Sequence, residues 1–167
     1  MSHSPANETR KARPSRPAAP PMPLFEALDA THRQVLQALD QLAKWVEQLD
    51  ARGADANART LVREICRFFD DTARAHHAAE EQLVFPSLLD SGDAELVQHV
   101  RRLQQDHGWL EEDWLELSPQ LQAIGAGQNW VDPDELRAGI TVFTDLYRDH
   151  IALEETIVYP ASRLRQA

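Results

Sequence analysis

One sequence pattern occurs twice in the chain, and it constrains the fold more than any other feature. Residues 76–86 and 150–160 both read His-x-Ala-x-Glu-Glu-x-x-Val-aromatic-Pro. On a helix, a histidine and a glutamate four positions apart lie on the same face, one turn from each other. An imidazole and a carboxylate in that arrangement can bind the same metal ion. Two such pairs in matched surroundings predict two helices that face each other across a shared metal site.

The composition favours one compact domain and excludes several classes of partner. The chain has 167 residues, of which 43% are hydrophobic, and a formal net charge of −10. This length is enough for one core, and the acidic balance argues against nucleic-acid or anionic-membrane partners, which select basic faces. The single cysteine, Cys66, excludes an intramolecular disulfide and a thiolate metal cage. Because no apolar stretch reaches the roughly 20 residues of a membrane span and no apolar signal core is present, we expect a cytoplasmic setting.

Residues 1–23 differ in composition from the rest of the chain. Ser, Pro, Ala and Arg dominate this segment, and its proline-rich run at 17–23 excludes a regular helix. We therefore predict a disordered tail over residues 1–23 and a folded domain over residues 24–167. His3 lies in the tail, and we expect no function for it.

Four amphipathic helices are predicted after the tail, because apolar residues recur at steps of three and four. The first runs from Leu24 to a break at 53–55, and the second from about Ala56 to Leu89. The third runs from the N-cap Asp93 to the glycines of 125–127. The fourth runs from the start signals of 132–135 to about Arg165. No strand-like alternation of useful length occurs. The short connections favour an all-α, antiparallel up-down-up-down four-helix bundle.

Four histidines fall at matching heights of this predicted bundle. His32 lies near the start of the first helix and His76 toward the end of the second, while His107 lies in the first half of the third and His150 past the middle of the fourth. In an antiparallel bundle, the starts of odd helices are level with the ends of even helices. All four histidines can therefore meet at one level.

These residues together resemble the hemerythrin-like, or HHE cation-binding, domains. The resemblance covers about residues 24–165 and rests on six positions in order, which are His32, His76-x-x-x-Glu80, His107 and His150-x-x-x-Glu154. It implies a domain that binds two non-haem iron ions bridged by an oxygen species, with the four histidines as terminal ligands and the two glutamates as bridges. Imidazole with carboxylate is also the ligand set of non-haem iron. The Glu-x-x-His pair of ferritin-like sites and the His-Glu-x-x-His motif of zincins are both absent from the sequence.

The third helix departs from the pattern of oxygen-carrying hemerythrins, which place His-x-x-x-His there. Here Glu111 follows His107 by four positions, as either a substitute metal ligand or a bystander. A carboxylate ligand would hold ferric iron more firmly and would disfavour reversible oxygen carriage. His77 and Glu81 lie one step, about 100°, round from His76 and Glu80. We expect them to face outward or to support the ligands without touching the metal.

Aromatic residues near the motifs are expected to wall the pocket, namely Phe69, Trp109 and Phe143, with Tyr147 packed in the core or hydrogen bonded near the metal.

The leading functional hypothesis is a small di-iron protein that senses, scavenges or stores oxygen, nitric oxide, peroxide or iron. The alternatives are a redox enzyme with peroxidase-like or nitric-oxide-reducing activity, and a helical interaction module with a structural metal. A non-enzymatic role is favoured, because the sequence shows no general acid or substrate pocket apart from the ligands. The metal in the cell, the physiological ligand and the oligomeric state stay open at this level.

Overall fold

The computed structural model of the chain describes residues 23–52 and 55–166. All regular structure within these ranges is helical, as predicted. The predicted disordered tail lies outside the described residues except for Pro23, and so does most of the predicted break at 53–55. In the described ranges, no helix has the length and apolar character needed to cross a membrane.

The helices follow the predicted order, with interruptions in the second and fourth. Helix α1 spans Leu24–Arg52. The second predicted helix comprises α2 (Ala56–Arg67), a first π-helical stretch (Phe68–Ala73), α3 (Arg74–Leu83) and α4 (Phe85–Leu89). The third is α5 (Ala94–Gly125). The fourth comprises α6 (Pro133–Leu153), a second π-helical stretch (Glu154–Val158) and α7 (Tyr159–Gln166).

Aspartate N-caps fix where three of the helices begin. The side chains of Asp55, Asp93 and Asp132 accept hydrogen bonds from backbone N–H groups in the first turns of α2, α5 and α6. Such caps satisfy donors that have no partner inside the helix. Pro133 follows its cap at a position where a missing N–H costs nothing. The starting points of α5 and α6 fix the register of the histidines that these helices carry.

The two prolines of the repeat account for the interruptions in the second half of each motif. Proline has no N–H to donate, and its ring clashes with the carbonyl four residues earlier. The second predicted helix breaks at Val84, just before Pro86, and the fourth widens into π-helical turns before Pro160.

The packing is compatible with the predicted bundle. Helix α6 packs against both α1 and α5, and α5 packs against α2. Along each of the four predicted helices, the motif residues lie between members of two apolar clusters. Leu28, Val84, Leu103 and Val158 belong to a smaller cluster, and Val35, Ala73, Leu110 and Tyr147 belong to a larger one. The histidines and glutamates of the motifs therefore form a polar layer between two apolar regions.

Candidate metal centre

Six of the seven predicted metal ligands are buried together in this polar layer. They are His32, His76, Glu80, His107, His150 and Glu154, with exposed fractions between 0% and 8%. Both glutamates are completely buried. Burying ionisable groups is costly unless they are paired or bind a metal, so the clustering requires a compensating interaction.

These six side chains and the half-buried His77 form two groups that could each hold a metal ion. The first group contains His32, His76, Glu80 and Glu154, and the second contains His77, Glu80, His107 and His150. Within each group, one nitrogen or oxygen atom of every residue lies within 4.8 Å of those of the others. Glu80 belongs to both groups.

Both glutamates direct one carboxylate oxygen toward each group. Glu80 Oε1 lies 3.0 Å from His76 Nε2, and its Oε2 lies 3.2 Å from His107 Nε2. Glu154 Oε2 lies 3.0 Å from His32 Nε2, and its Oε1 lies 3.0 Å from His150 Nε2. A carboxylate placed in this way can bridge two ions.

Several polar atoms of the centre are better placed to bind a metal ion than to form hydrogen bonds. The Nε2 atoms of His32 and His76 lie 3.1 Å apart, a distance that allows either a hydrogen bond between them or a shared metal ion. Two nitrogens bound to one ion at right angles, each about 2.1 Å from it, would be about 3 Å apart. Among the described residues, no acceptable hydrogen-bond partner exists for Nε2 of His107 and His150 or for either carboxylate oxygen of Glu154. Buried polar atoms rarely lack partners, so these residues fit a bound cation, with a donor set suited to iron.

The second glutamate of each repeat orients a histidine on another helix. Glu155 Oε1 lies 3.0 Å from His32 Nδ1, and Glu81 Oε1 lies 2.9 Å from His107 Nδ1. An Nδ1–H group that donates to a carboxylate leaves the Nε2 lone pair free for a metal. Glu81 therefore occupies the supporting position expected as one of its two alternatives.

The outward orientation considered for His77 is wrong. Its ring is half-buried and stacks on His107, with ring centroids 4.1 Å apart and an interplanar angle of 19°. The Tyr147 hydroxyl lies 3.4 Å from His77 Nε2. Neighbouring residues of a helix are about 100° apart, so His76 and His77 can both face the interior if they lie on either side of the inward direction. The His-His dipeptide was the sequence signal for this second inward ring.

Glu111 is not brought into either group. Its carboxylate pairs with Arg74 Nη2 at 2.9 Å, and its side chain is 52% exposed. The four-residue step from His107 places it on the same side of α5, but one turn further along, where the helix borders an open cavity. Trp109, expected as a pocket wall, is 46% exposed instead.

In the absence of a metal ion, the polar layer pairs protonated imidazoles with carboxylates. Burial lowers the pKa of His107, but Glu154 and Glu80 outweigh it and raise that pKa to about 10. Burial likewise lowers the pKa of His150, whereas Glu154 and Asp106 raise it to about 9. Burial would raise the pKa of Glu154, but the neighbouring histidines hold it well below its usual value.

His77 differs from the other histidines of the centre. Burial, followed by the charges of His107 and His150, lowers its pKa well below 6.5. Its imidazole is therefore neutral, which is the form that binds a metal.

These features define a helical cation-binding domain, and comparison with known proteins identifies its family. The sequence profile of the hemerythrin HHE cation binding domain matches residues 24–162. The chain therefore belongs to this family, which confirms the resemblance found from the six motif positions. A protein of Haemophilus influenzae, described only as uncharacterized, is 30% identical over 132 residues, which cover 79% of this chain and 74% of that protein. No solved structure gives a significant match.

Proposed function

We propose that the chain is a cytoplasmic, non-haem di-iron protein that senses, scavenges or stores oxygen, nitric oxide, peroxide or iron. The observation that supports this most is the placement of Glu80 and Glu154, because each directs one oxygen to each of the two histidine groups. Membership of a cation-binding family and the imidazole-carboxylate donor set favour iron. When bound, iron supplies one-electron redox chemistry and a coordination position for a small ligand.

The two proposed iron positions have different ligand sets. His32 and His76 would hold one ion, and His107 and His150 would hold the other, with His77 as an additional ligand at the second position. Glu80 and Glu154 would each offer one carboxylate oxygen to each position. His77 thus supplies the fifth imidazole that the sequence pattern lacked on the third helix, and Glu111 has no part in the ligand set.

The experiment that tests this proposal is metal analysis of protein produced with ample iron. We expect close to two irons per chain, because the two bridging carboxylates serve two groups of histidines. Glu80→Ala and Glu154→Ala should each lose one or both irons, whereas Glu111→Ala, a matched exposed carboxylate, should retain both. A reproducible value near one iron in the unmodified protein would contradict the dinuclear proposal.

His77 and Glu111 can be compared directly by the same measurement. His77→Ala should weaken iron at the second position, because it removes an imidazole from that group. Full iron content in His77→Ala together with iron loss in Glu111→Ala would reverse the assignment of these two residues.

The alternative, a redox enzyme, is favoured by one buried hydroxyl. Tyr159 donates a hydrogen bond to Glu80 Oε1, and its oxygen lies 3.3 Å from His32 Nε2. The single proton of this hydroxyl could turn from Glu80 toward a charge that develops on a substrate bound beside these ligands. Turnover of hydrogen peroxide or nitric oxide that falls in Tyr159→Phe, at unchanged iron content, would favour the enzymatic alternative.

A further inference from the structure

A cavity of about 340 Å³ adjoins the candidate metal centre. The first π-helical stretch, α3, α5 and α6 contribute to its lining. Its walls are largely aromatic, from Phe69, Trp114, Phe143 and Tyr147, and His77 and His107 border it on the side of the metal centre. The cavity therefore connects the surface to the second histidine group.

The cavity is larger than a diatomic ligand needs. A water molecule accounts for about 30 Å³ of liquid volume, and a diatomic gas is of similar size. Small-molecule sites in proteins usually measure about 300–1,000 Å³. The volume thus suits an organic molecule with about one ring.

The aromatic walls of the cavity pack against one another. The ring centroid of Phe69 lies 4.8 Å from that of Trp114 and 5.3 Å from that of Phe143. The indole N–H of Trp114 donates a hydrogen bond of 2.8 Å to Asp70. Since this hydrogen bond satisfies the only polar atom of the indole, its ring offers an apolar face to an occupant.

Polar groups occur at the two ends of the cavity. His77 and the Tyr147 hydroxyl, 3.4 Å apart, provide hydrogen-bonding groups on the inner side. Three lining residues are acidic, namely Asp70, Glu81 and Glu111, and the guanidinium of Arg74 is already paired with Glu111 at 2.9 Å. Against the positive charges of Arg74 and His107, these three carboxylates still leave the lining with a net negative charge, which disfavours an anionic occupant.

We propose that the cavity binds a small, neutral organic molecule that has one apolar ring and a hydroxyl group. The ring lies among Phe69, Trp114 and Phe143, and the hydroxyl hydrogen bonds to His77 or Tyr147. The steps of this inference use the shape and chemistry of the cavity and do not depend on bound iron. An occupant in this position would also lie beside the second iron position of the proposed function.

The test uses phenol as the neutral probe and benzoate as an anion of similar size. Binding to the full-length, iron-loaded protein is measured by calorimetry, and binding to the metal-free protein by the indole N–H resonances. We expect phenol to shift the Trp114 resonance saturably and to leave those of Trp45 and Trp130, which lie outside the cavity lining, unchanged. Benzoate should bind at least about tenfold more weakly, a difference of ~1.4 kcal/mol.

Gly108 allows a matched pair of variants. It lines the cavity, and a Cβ atom added there would meet no atom within 4 Å. Gly108→Phe should fill part of the cavity and weaken phenol binding about tenfold or more, whereas Gly108→Ala should bind phenol as the unmodified protein does. Ala78→Phe, from the lining residue on α3, is a second filled variant in case the first ring turns toward solvent.

Three results would overturn the proposal. They are the absence of saturable phenol binding, unchanged phenol affinity in both filled variants, and equal affinity for phenol and benzoate. Iron content is measured in the same samples. Phenol binding by a protein that takes up no iron would refute the proposed function alone, and two irons per chain without phenol binding would refute the cavity proposal alone.

Discussion

At the scale of single residues, the Glu-Glu dipeptides of the repeat divide two tasks between neighbouring positions. Glu80 and Glu154 are completely buried between the histidine groups. The side chains of Glu81 and Glu155 are 35% and 45% exposed, and Oε1 of each lies within 3.0 Å of Nδ1 of a histidine on another helix. One rotation of about 100° along the helix thus separates a carboxylate that can bridge ions from one that orients an imidazole.

We predict that Glu81→Ala and Glu155→Ala each weaken iron binding by about 10- to 100-fold, as is typical when the partner of a metal-binding histidine is removed. Glu81→Gln and Glu155→Gln should lose less, because the amide oxygen can still accept from Nδ1–H. Competition with a chelator measures the affinity. Glu112→Ala, an exposed acidic position on α5, is the control. Native affinity in both alanine variants would show that these carboxylates do not orient the ligands.

The aromatic position of the repeat carries a hydroxyl in only one of its two copies. Tyr159 donates to Glu80, whereas the corresponding Phe85 stacks on His107 with centroids 5.6 Å apart. Tyr159→Phe should lower the free energy of unfolding of the metal-free protein by about 1–3 kcal/mol, because it leaves a buried carboxylate oxygen without its donor. Urea denaturation measures this change. An unchanged urea midpoint would mean that another group satisfies Glu80.

At the scale of helices, the apolar periodicity and the capping residues were sufficient to predict most of the fold. The predicted start at Leu24, the N-cap at Asp93 and the start signals at Asp132 agree with the structure. The π-helical stretch at 68–73 was not predicted, because a shift of one residue in hydrogen bonding barely alters the apolar pattern over a single turn.

Residue spacing along a helix also determined which parts of the candidate site could be predicted. The duplicated motif specified His76, Glu80, His150 and Glu154 by their matched spacing, and the structure buries all four in the polar layer. His77 differs from His76 by one step of about 100°, which a pattern resolves poorly on a helix that exposes a wide face to the interior. Spacing alone also could not reveal that Arg74 holds Glu111 at the surface.

Close packing of α5 against α6 leads to a prediction about two glycines. A Cβ atom on Gly139 would lie 2.8 Å from Cδ2 of Leu117, which is buried, whereas one on Gly108 would meet nothing within 4 Å. Gly139→Ala should destabilise the protein by about 1–3 kcal/mol through overpacking. A gain of up to ~1 kcal/mol in helix propensity offsets part of this loss. Gly108→Ala should show only the gain in helix propensity. Thermal unfolding measures both, and a higher melting temperature for Gly139→Ala would show that Leu117 can move at little cost.

At the scale of the whole molecule, the stability of the metal-free protein depends on the protonation of the histidines in the polar layer. The carboxylates keep His107 and His150 charged to pH values far above 6.5, with pKa values of about 10 and about 9. These charges compensate the buried glutamates when no cation does. Because a metal ion needs the neutral imidazoles, protons and iron compete for the same layer.

This competition makes the stability of the metal-free protein and its affinity for iron depend on pH in opposite directions. A histidine whose pKa is raised on folding stabilises the fold fully below its unfolded pKa, 6.5 here, and this contribution is lost as the pH rises through the folded value. The urea midpoint of the metal-free protein should therefore fall between pH 6.5 and pH 9. His77 has a lowered pKa, so it affects stability only below pH 6.5. The thiol of Cys66 has an unfolded pKa of 9.0, so its deprotonation in the unfolded chain begins only near the upper end of this pH range.

Iron affinity should rise over the same window, because fewer protons must leave His107 and His150 when iron binds. The melting temperature of the iron-loaded protein should consequently exceed that of the metal-free protein by a margin that grows from pH 6.5 to pH 9. His107→Gln, which removes the histidine with the highest of these pKa values, is the control and should flatten the fall in the metal-free midpoint. A metal-free midpoint that rises with pH would contradict the charged network, and a margin that shrinks would contradict coordination by these imidazoles.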